Sequence, residues 1–232
     1  MELRATRPPL HPEIFVRQPR DMKFFCSLLA VGLIWGGYAY LHRPISYPPG
    51  VLVSADPEQT TLPEPSAQIE YGAFHLKPLA HFALDARLLH RKIYRWDRQS
   101  ALAPVDLAVG WGPMSDQAVL DRLNISQSMR FFWYEYQQPP PIPKEQIVCH
   151  GTNLHIIPAT SAIASRCKSL RIGTLIHLRG ELVEATGRDI GTWRSSLSRT
   201  DDGNGACELV WVEEFSPLKL ETAGEKMRLV RQ

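Results

Sequence analysis

TLIHLRGELVEATGRDIGTWRSSLSRTDDGNGACELVWVE, residues 174–213, carries the clearest structural pattern in the chain. From Thr174 to Ala185, Ile176, Leu178 and Leu182 fall on one face, while His177, Arg179 and Glu181 fall on the other. That two-residue period is the mark of a half-buried strand. Gly180 interrupts the apolar pattern, where a glycine marks a bulge or a sharp bend of a small barrel. Thr186 to Gly191 reads as a turn, and Trp193, Ser195 and Leu197 alternate on a return strand. Asp201-Asp202-Gly203-Asn204-Gly205 is a second turn-forming loop. Ala206 to Glu213 is almost continuously apolar, as a central strand would be. Together they predict a three-stranded meander in an α+β, β-rich domain, with a small OB-like barrel as the candidate architecture.

Upstream of this stretch, Pro158 is placed to open a helix, because its missing N–H is no loss there. Ile163, Cys167 and Leu170 follow at helical spacing, and Gly173 ends the element. Further upstream, Ser115 reads as the N-cap of a helix over Asp116–Leu123. Met129–Tyr136 (MRFFWYEY) is a dense aromatic strand candidate, stopped by Pro139-Pro140-Pro141-Ile142-Pro143. His81–Leu88 alternates with Phe82, Leu84, Ala86 and Leu88 on one face.

Residues 24–41, FFCSLLAVGLIWGGYAYL, hold no charge and are long enough to cross a bilayer as a helix. Trp35, Tyr38 and Tyr40 stand at the interfacial end. Arg4, Arg7, Arg17, Arg20 and Lys23 precede the segment, whereas Arg43 is the only basic residue after it until Lys77. Positive charge stays on the cytoplasmic side, which predicts the N-terminus inside and the body in the periplasm. The expectation is an uncleaved signal anchor in the inner membrane, touching lipid through 24–41. The competing reading is a signal peptide cut after Gly37 and Ala39. Separately, Met22-Lys23 has the form of an export-signal start, so residues 1–21 read either as a cytoplasmic tail or as sequence ahead of a true start at Met22. A buried core helix is disfavoured because no polar face breaks the run.

The resulting division is a disordered cytoplasmic tail over 1–23, the anchor over 24–41 and a Pro-rich spacer over 42–66. The domain follows over 67–220, then a C-terminal tail over 221–232. A net charge of +2 on 232 residues is too balanced to point to nucleic acid, which is a disfavoured partner. Cys26, Cys149, Cys167 and Cys207 form no C-x-x-C pair, which removes the zinc-ribbon and thioredoxin readings. Beyond the membrane, Cys149, Cys167 and Cys207 allow one disulfide in three ways, or burial as thiols.

Two clusters carry reactive side chains. Cys149-His150-Gly151-Thr152-Asn153-Leu154-His155 offers His150, Asn153 and His155, but H-x4-H is no standard zinc spacing, so no metal or other cofactor is assigned. Trp193–Arg199 with Cys207 and Glu208 offers Cys207, Ser195 or Ser196 as nucleophile and a histidine as base, with Glu208 or Asn153 orienting it. Arg194 and Arg199 are candidate anion ligands. No nucleophile elbow or protease cysteine signature accompanies them. Trp111, in Val109-Gly110-Trp111-Gly112-Pro113-Met114-Ser115-Asp116, is a candidate ligand contact, weighed against ordinary burial as a lid on the core. The acidic loop 201–205 lacks the ligand spacing of an EF-hand.

DLAVGWGPMSD (106–116), HGTNLHIIPA (150–159) and SSLSRTDDGNGACELVWVE (195–213) together resemble an uncharacterised group of bacterial membrane-anchored or exported envelope proteins. The resemblance spans roughly residues 70–215 and implies an envelope setting with no activity attached. The leading expectation is therefore a non-catalytic interaction or structural module with an envelope protein partner. The alternatives are a small hydrolase or transferase using Cys207 or Ser195 with His150 or His155, and an OB-type oligonucleotide binder using exposed aromatics beside Arg179, Arg194 and Arg199.

Overall fold

A computed structural model of the chain describes residues 19–63, 66–198, 200–201, 203, 205–223 and 226–231. The elements in order are α1 (Pro19–Leu41), β1 (Glu58–Thr61), β2 (Ile69–Tyr71), β3 (Phe74–Ile93), β4 (Val105–Gly110), a 3-10 turn (Gly112–Ser115) and α2 (Gln117–Leu120). Then come β5 (Leu123–Ser128), β6 (Phe131–Tyr136), α3 (Lys144–Cys149), β7 (Gly151–Pro158), α4 (Ser161–Ser169), β8 (Leu175–Gly187), β9 (Gly191–Arg194), β10 (Glu208–Ala223) and β11 (Lys226–Arg231). The chain divides into two units, Met1–Arg43 and Pro44–Gln232.

In the first unit, Met22–Leu41 is long and apolar enough to span a membrane. Its apolar side chains, Leu28, Leu29, Ile34 and Trp35 among them, are exposed, which does not fit a core helix. The helix starts before Phe24 because backbone hydrogen bonding continues into the polar flank, so Pro19–Lys23 is helical. The remainder of the expected N-terminal tail lies outside the described residues.

In the second unit, strand pairing closes on itself. β3 pairs antiparallel with β4, and β4 with β7. β7 runs parallel to β10, β10 pairs antiparallel with β8, and β8 returns to β3 from Phe74↔Gly187 to Arg87↔Leu175. The result is a ring-like sheet. A strand has two edges, and Phe82 pairs with both Gly180 and Gln59. One edge of β3 therefore carries β8, while the other carries β2, β1 and β4 in turn. Register shifts at Pro78/Ala80 and Leu88/His90 in β3, and at Val212/Glu214 in β10, supply the bends such closure needs. Gly180 sits at one of these bends: a Cβ there would meet the Trp211 carbonyl oxygen at 1.9 Å.

The alternation read from the sequence places the core. Phe82, Leu84, Ala86 and Leu88 are buried with Ile176, Leu178, Leu182, Val210 and Val212 in the main apolar cluster. Ile163, Cys167 and Leu170 of and beyond α4 join it. Val183, Ala185, Leu209 and Ile157 face the other way, into a second cluster against Tyr71, Trp193 and Trp211. Central strands of the ring are thus buried on both faces, which is why ACELVWVE reads as continuous apolar sequence.

Four details differ from the sequence expectation. β9 does not pair with β10: the two take successive stretches of one edge of long β8, β10 at 176–182 and β9 at 184–187, while β3 holds the other edge. Thr160, not Pro158, starts α4, because its Oγ1 accepts from Ile163 N at 3.2 Å. Asp116 rather than Ser115 caps α2, accepting from Ala118 N at 2.9 Å, and that helix is a single turn. The spacer over 42–66 and the C-terminal tail over 221–232 both carry structure. Leu52 and Val53 are buried, β1 pairs with β3, and β10–β11 form a hairpin from Leu218↔Arg231 to Ala223↔Lys226. Proline-rich composition describes the absence of helix, and backbone partners outside the segment decide whether it docks.

Candidate functional site

β4 is buried at every position, yet its second residue is Asp106. A carboxylate held out of water in an apolar strand requires charge and hydrogen-bond compensation. Arg130 provides it, with Nη1 at 2.9 Å from Asp106 Oδ1 and 2.8 Å from the Ala103 carbonyl. Its other face makes a two-point bridge to Asp97, Nε to Oδ2 at 2.9 Å and Nη2 to Oδ1 at 2.7 Å. The guanidinium lies over Tyr94, 3.7 Å from the ring centroid, and Tyr94 Oη accepts from Arg130 N at 3.1 Å. Burial pushes the Tyr94 phenol up to about 12, the Asp106 charge adding to the rise.

Arg130 comes from the turn of the β5–β6 hairpin. Met129 and Arg130 hold φ of 50° and 70°, the pair of left-handed residues a two-residue primed turn demands. Asn-Gly is the usual choice there. The Arg130 bridges offset the conformational cost of using two larger residues.

Around Asp106 the network continues. His155 Nδ1 stands 3.0 Å from Asp106 Oδ1, and its ring packs 4.6 Å from Trp193. Asn153 Nδ2 donates to the Arg130 carbonyl at 3.0 Å, and Gln127 Nε2 donates to Asn153 Oδ1. His90 Nδ1 is 2.9 Å from Gln127 Oε1.

Above this junction opens a cleft of about 720 Å³. One wall is the aromatic run of β6, including Phe131, Trp133 and Tyr134; the floor is Gly151–Asn153 of β7; the far wall holds Asp201, Ala206 and Cys207. Among the described residues that line it, Lys144 stands with Glu135 and Asp201. Phe132, Tyr134 and Tyr136 also pack against the cluster of Leu89, Ala108, Met114 and Ile147. Trp133 is exposed.

The residues named from the sequence divide between this cleft and other places. Asn153 and Cys207 line it. The Cys207 sulfur lies 3.8 Å from the Arg130 carbonyl and 3.9 Å from Asn153 Nδ2, with no histidine in hydrogen-bonding reach among the described residues. Burial pushes its thiol up to about 12, helped by Glu208, Asp106 and Asp201, so it stays protonated at neutral pH. Glu208 is buried and accepts from Thr152 Oγ1. Ser195 donates to Ser196 O at 2.8 Å and accepts from Leu209 N at 3.1 Å, and Ser196 donates to Asp201 Oδ2 at 2.6 Å. The Ser195 hydroxyl ties the 195–207 crossing to β10, and the Ser196 hydroxyl fastens the crossing to itself. Arg194 pairs with Glu184 at 2.7 Å on the β9 edge, and Arg199 lies outside the described residues. His150 is apart from His155: it follows α3, with Nδ1 3.0 Å from Gln146 O and its ring against Gly112. All four cysteines are unpaired. Among the described residues no group of three or more His, Cys, Asp or Glu is arranged to hold a metal ion.

The Gly110–Gln117 stretch has a different task. Ser115 Oγ accepts from Leu52 N and Val53 N, each at 3.1 Å, and donates to Gly112 O at 2.7 Å. Gly112 N donates to Val53 O at 2.7 Å, Asp116 Oδ1 accepts from Gly50 N at 2.8 Å, and Gln117 Oε1 accepts from Tyr47 N at 3.0 Å. Buried Trp111 donates from Nε1 to Asp56 at 3.0 Å. Arg87, itself buried, donates to Ser115 O, Ile45 O and Gln117 Oε1 and lies 5.0 Å from the Tyr47 ring. Burial lowers its pKa. Ile45 also presses on Gly173, where a Cβ would meet the Ile45 carbonyl oxygen at 2.1 Å. The motif is a clamp on the segment that follows the apolar helix.

Sequence reasoning passed over Asp106, Arg130, Asp97, Gln127 and Arg87. For Asp106 a signal existed: one carboxylate inside an apolar strand is rarely buried without a partner. Arg130 has no local signal, since its partners lie 24 and 33 positions away.

Scans against protein-family models, curated proteins and solved structures found no match to this chain.

Proposed function

We propose that this chain is a membrane-anchored, non-catalytic binding module whose OB-like barrel presents an aromatic cleft to an extended segment of an envelope partner. The barrel reading is supported by the ring order β3-β4-β7-β10-β8, the parallel β7–β10 pair and the helix α4 between β7 and β8. Such five-stranded barrels bind extended ligands across their second and third strands and the adjoining loops. Here the cleft lies at the start of the third ring strand, between the insertion after the second and the crossing after the fourth. The excess of Arg and Lys before the apolar helix supports a cytoplasmic N-terminus and a periplasmic domain, with the helix as an uncleaved anchor.

The observation that carries the binding reading is the chemistry of the cleft. Aromatic faces line an open groove, while the nucleophile candidate inside it, Cys207, is a protonated thiol with no histidine in reach among the described residues. Against an oligonucleotide, the described lining of the cleft sets two carboxylates, Glu135 and Asp201, beside Lys144, and neither Arg179 nor Arg194 belongs to that lining. Each is paired instead with a glutamate, Glu214 and Glu184.

The test compares Trp133→Ala and Phe131→Ala with Cys207→Ala and His155→Gln, in cells lacking the native copy. Site-specific photocrosslinking from position 133 is run alongside. Loss of the crosslinked partner and of the cellular phenotype in the aromatic variants, with both retained in Cys207→Ala, supports binding. A phenotype lost in Cys207→Ala with the crosslink retained would transfer the assignment to chemistry.

A further inference from the structure

The loop between β3 and β4 holds Arg95-Trp96-Asp97-Arg98, and it meets the tip of the β5–β6 hairpin. Asp97 and Arg130 form the two-point bridge described above, so their chain neighbours Trp96 and Met129 flank one junction. Trp96 is 95% exposed and Met129 is 77% exposed. A tryptophan this bare has no part in holding the fold, and large apolar groups left together in water mark contact surfaces. Asp97 is the one acidic residue from Arg91 to Ser100, and its carboxylate is turned inward onto Arg130. Arg95 and Arg98 are exposed on either side of Trp96, with no ion pair among the described residues. The patch is therefore cationic, with an amphipathic ring and a flexible thioether at its centre.

We propose that Trp96, Met129, Arg95 and Arg98 form a docking surface for an anionic phospholipid bilayer, separate from the apolar helix. Indole rings settle at the headgroup level, where the ring is in apolar surroundings and its N–H remains wet. Arginines beside it pair with lipid phosphates. The same chain carries a helix apolar enough to span a membrane, which argues for lipid over a soluble polyanion as the occupant. The Asp97–Arg130 bridge sets the two loops in register, so the patch is preformed.

The full chain is reconstituted into vesicles of phosphatidylcholine alone, or of equal parts phosphatidylcholine and phosphatidylglycerol, each carrying brominated acyl chains. Tryptophan quenching of the wild type is compared with that of Trp96→Phe, so that the other tryptophans cancel. The expected result is excess quenching in the phosphatidylglycerol vesicles that vanishes in Trp96→Phe. Arg95→Gln/Arg98→Gln should remove most of it, each arginine being worth roughly fivefold in partitioning to an anionic surface. Equal quenching of wild type and Trp96→Phe overturns the proposal. So does an excess indifferent to phosphatidylglycerol and to the arginines, or a Trp96 signal that responds only to an added oligonucleotide. All substitutions are at exposed positions, and unchanged circular dichroism verifies that each variant is folded.

Discussion

β10 and β6 are both rich in apolar and aromatic side chains, but the chain uses them in opposite ways. β10 is hydrogen-bonded on both edges, to β7 and to β8, and buries Leu209 on one face and Val210 and Val212 on the other. β6 has one neighbour, β5. Its Phe132, Tyr134 and Tyr136 reach back to the body, while Trp133 is left to the cleft. The ring is held by backbone, whereas the hairpin is held by side chains, above all by Arg130. A scaffold of the first kind can carry a rim of the second kind, whose sequence can change without altering the ring.

That contrast is most severely tested at Gly180. In Gly180→Ala the new methyl group meets the Trp211 carbonyl, and the backbone cannot yield without breaking the pairings to Val212 and Phe82. The expected loss exceeds about 4 kcal/mol, in the range reserved for disrupted cores. Denaturant unfolding in detergent should show no native baseline. A variant that melts within a few degrees of wild type would mean the ring is not closed at this bend.

Next in size is Arg130→Ala, which tests the hairpin's attachment. It leaves Asp106 charged and buried beside Asn153 and His155, at a cost of about 3–5 kcal/mol. Arg130→Ala/Asp106→Asn should recover part of that loss, because the stranded charge goes with its partner. A single-mutant loss below about 1 kcal/mol would place the hairpin's attachment in its aromatic contacts instead.

Ser115→Ala tests the clamp on the segment after the apolar helix. It strands the buried amides of Leu52 and Val53, at a cost of about 1–3 kcal/mol. Hydrogen exchange should accelerate over 45–56 and leave β8 and β10 unchanged. Uniform acceleration would show that the segment unfolds with the ring.

How far these regions can be read from sequence follows the same division. Phe82/Leu84/Ala86/Leu88 and Ile163/Cys167/Leu170 declare themselves because burial imposes a period of two or near four on contiguous residues. The closure of β8 onto β3 does not, since it joins positions about a hundred apart and leaves no local trace. The 45–61 segment was misleading for a related reason. It has two buried apolar anchors, Leu52 and Val53, and most of its attachment is main-chain hydrogen bonding to Ser115, Asp116 and Gln117. Composition cannot register bonds made by backbone. At the site, Cys207 is legible beside a glycine-rich loop and Asn153 in the Cys149–His155 cluster. Their neighbour Arg130 was hidden in an aromatic run, and it determines their geometry.

Alkaline pH addresses the ring again, through its buried thiol. Burial raises the Cys167 thiol from 9.0 to about 12, and Cys207 behaves likewise. An acid whose folded pKa lies above its unfolded one adds stability that is complete below the unfolded value. That stability is lost as pH rises toward the folded value. Unfolding free energy should therefore decline between pH 9 and 12. Comparing the pH profile of Cys167→Ala with that of wild type isolates one thiol's share, whatever the substitution costs at neutral pH. Parallel profiles would mean that the thiol ionises alike in both states.

The smallest effect on stability is expected where the effect on function is largest. Trp133 is 48% exposed, and its indole N–H reaches the Ser128 carbonyl at a long 3.4 Å. Removing it in Trp133→Ala should change unfolding free energy by less than about 0.5 kcal/mol, as for surface positions outside a packed network. If the rim exists to bind and the ring to support it, this variant melts with wild type yet loses its partner. Should Trp133→Ala instead destabilise as strongly as Arg130→Ala, the hairpin would be an extension of the core, and the distinction between ring and rim would fail at its most exposed residue.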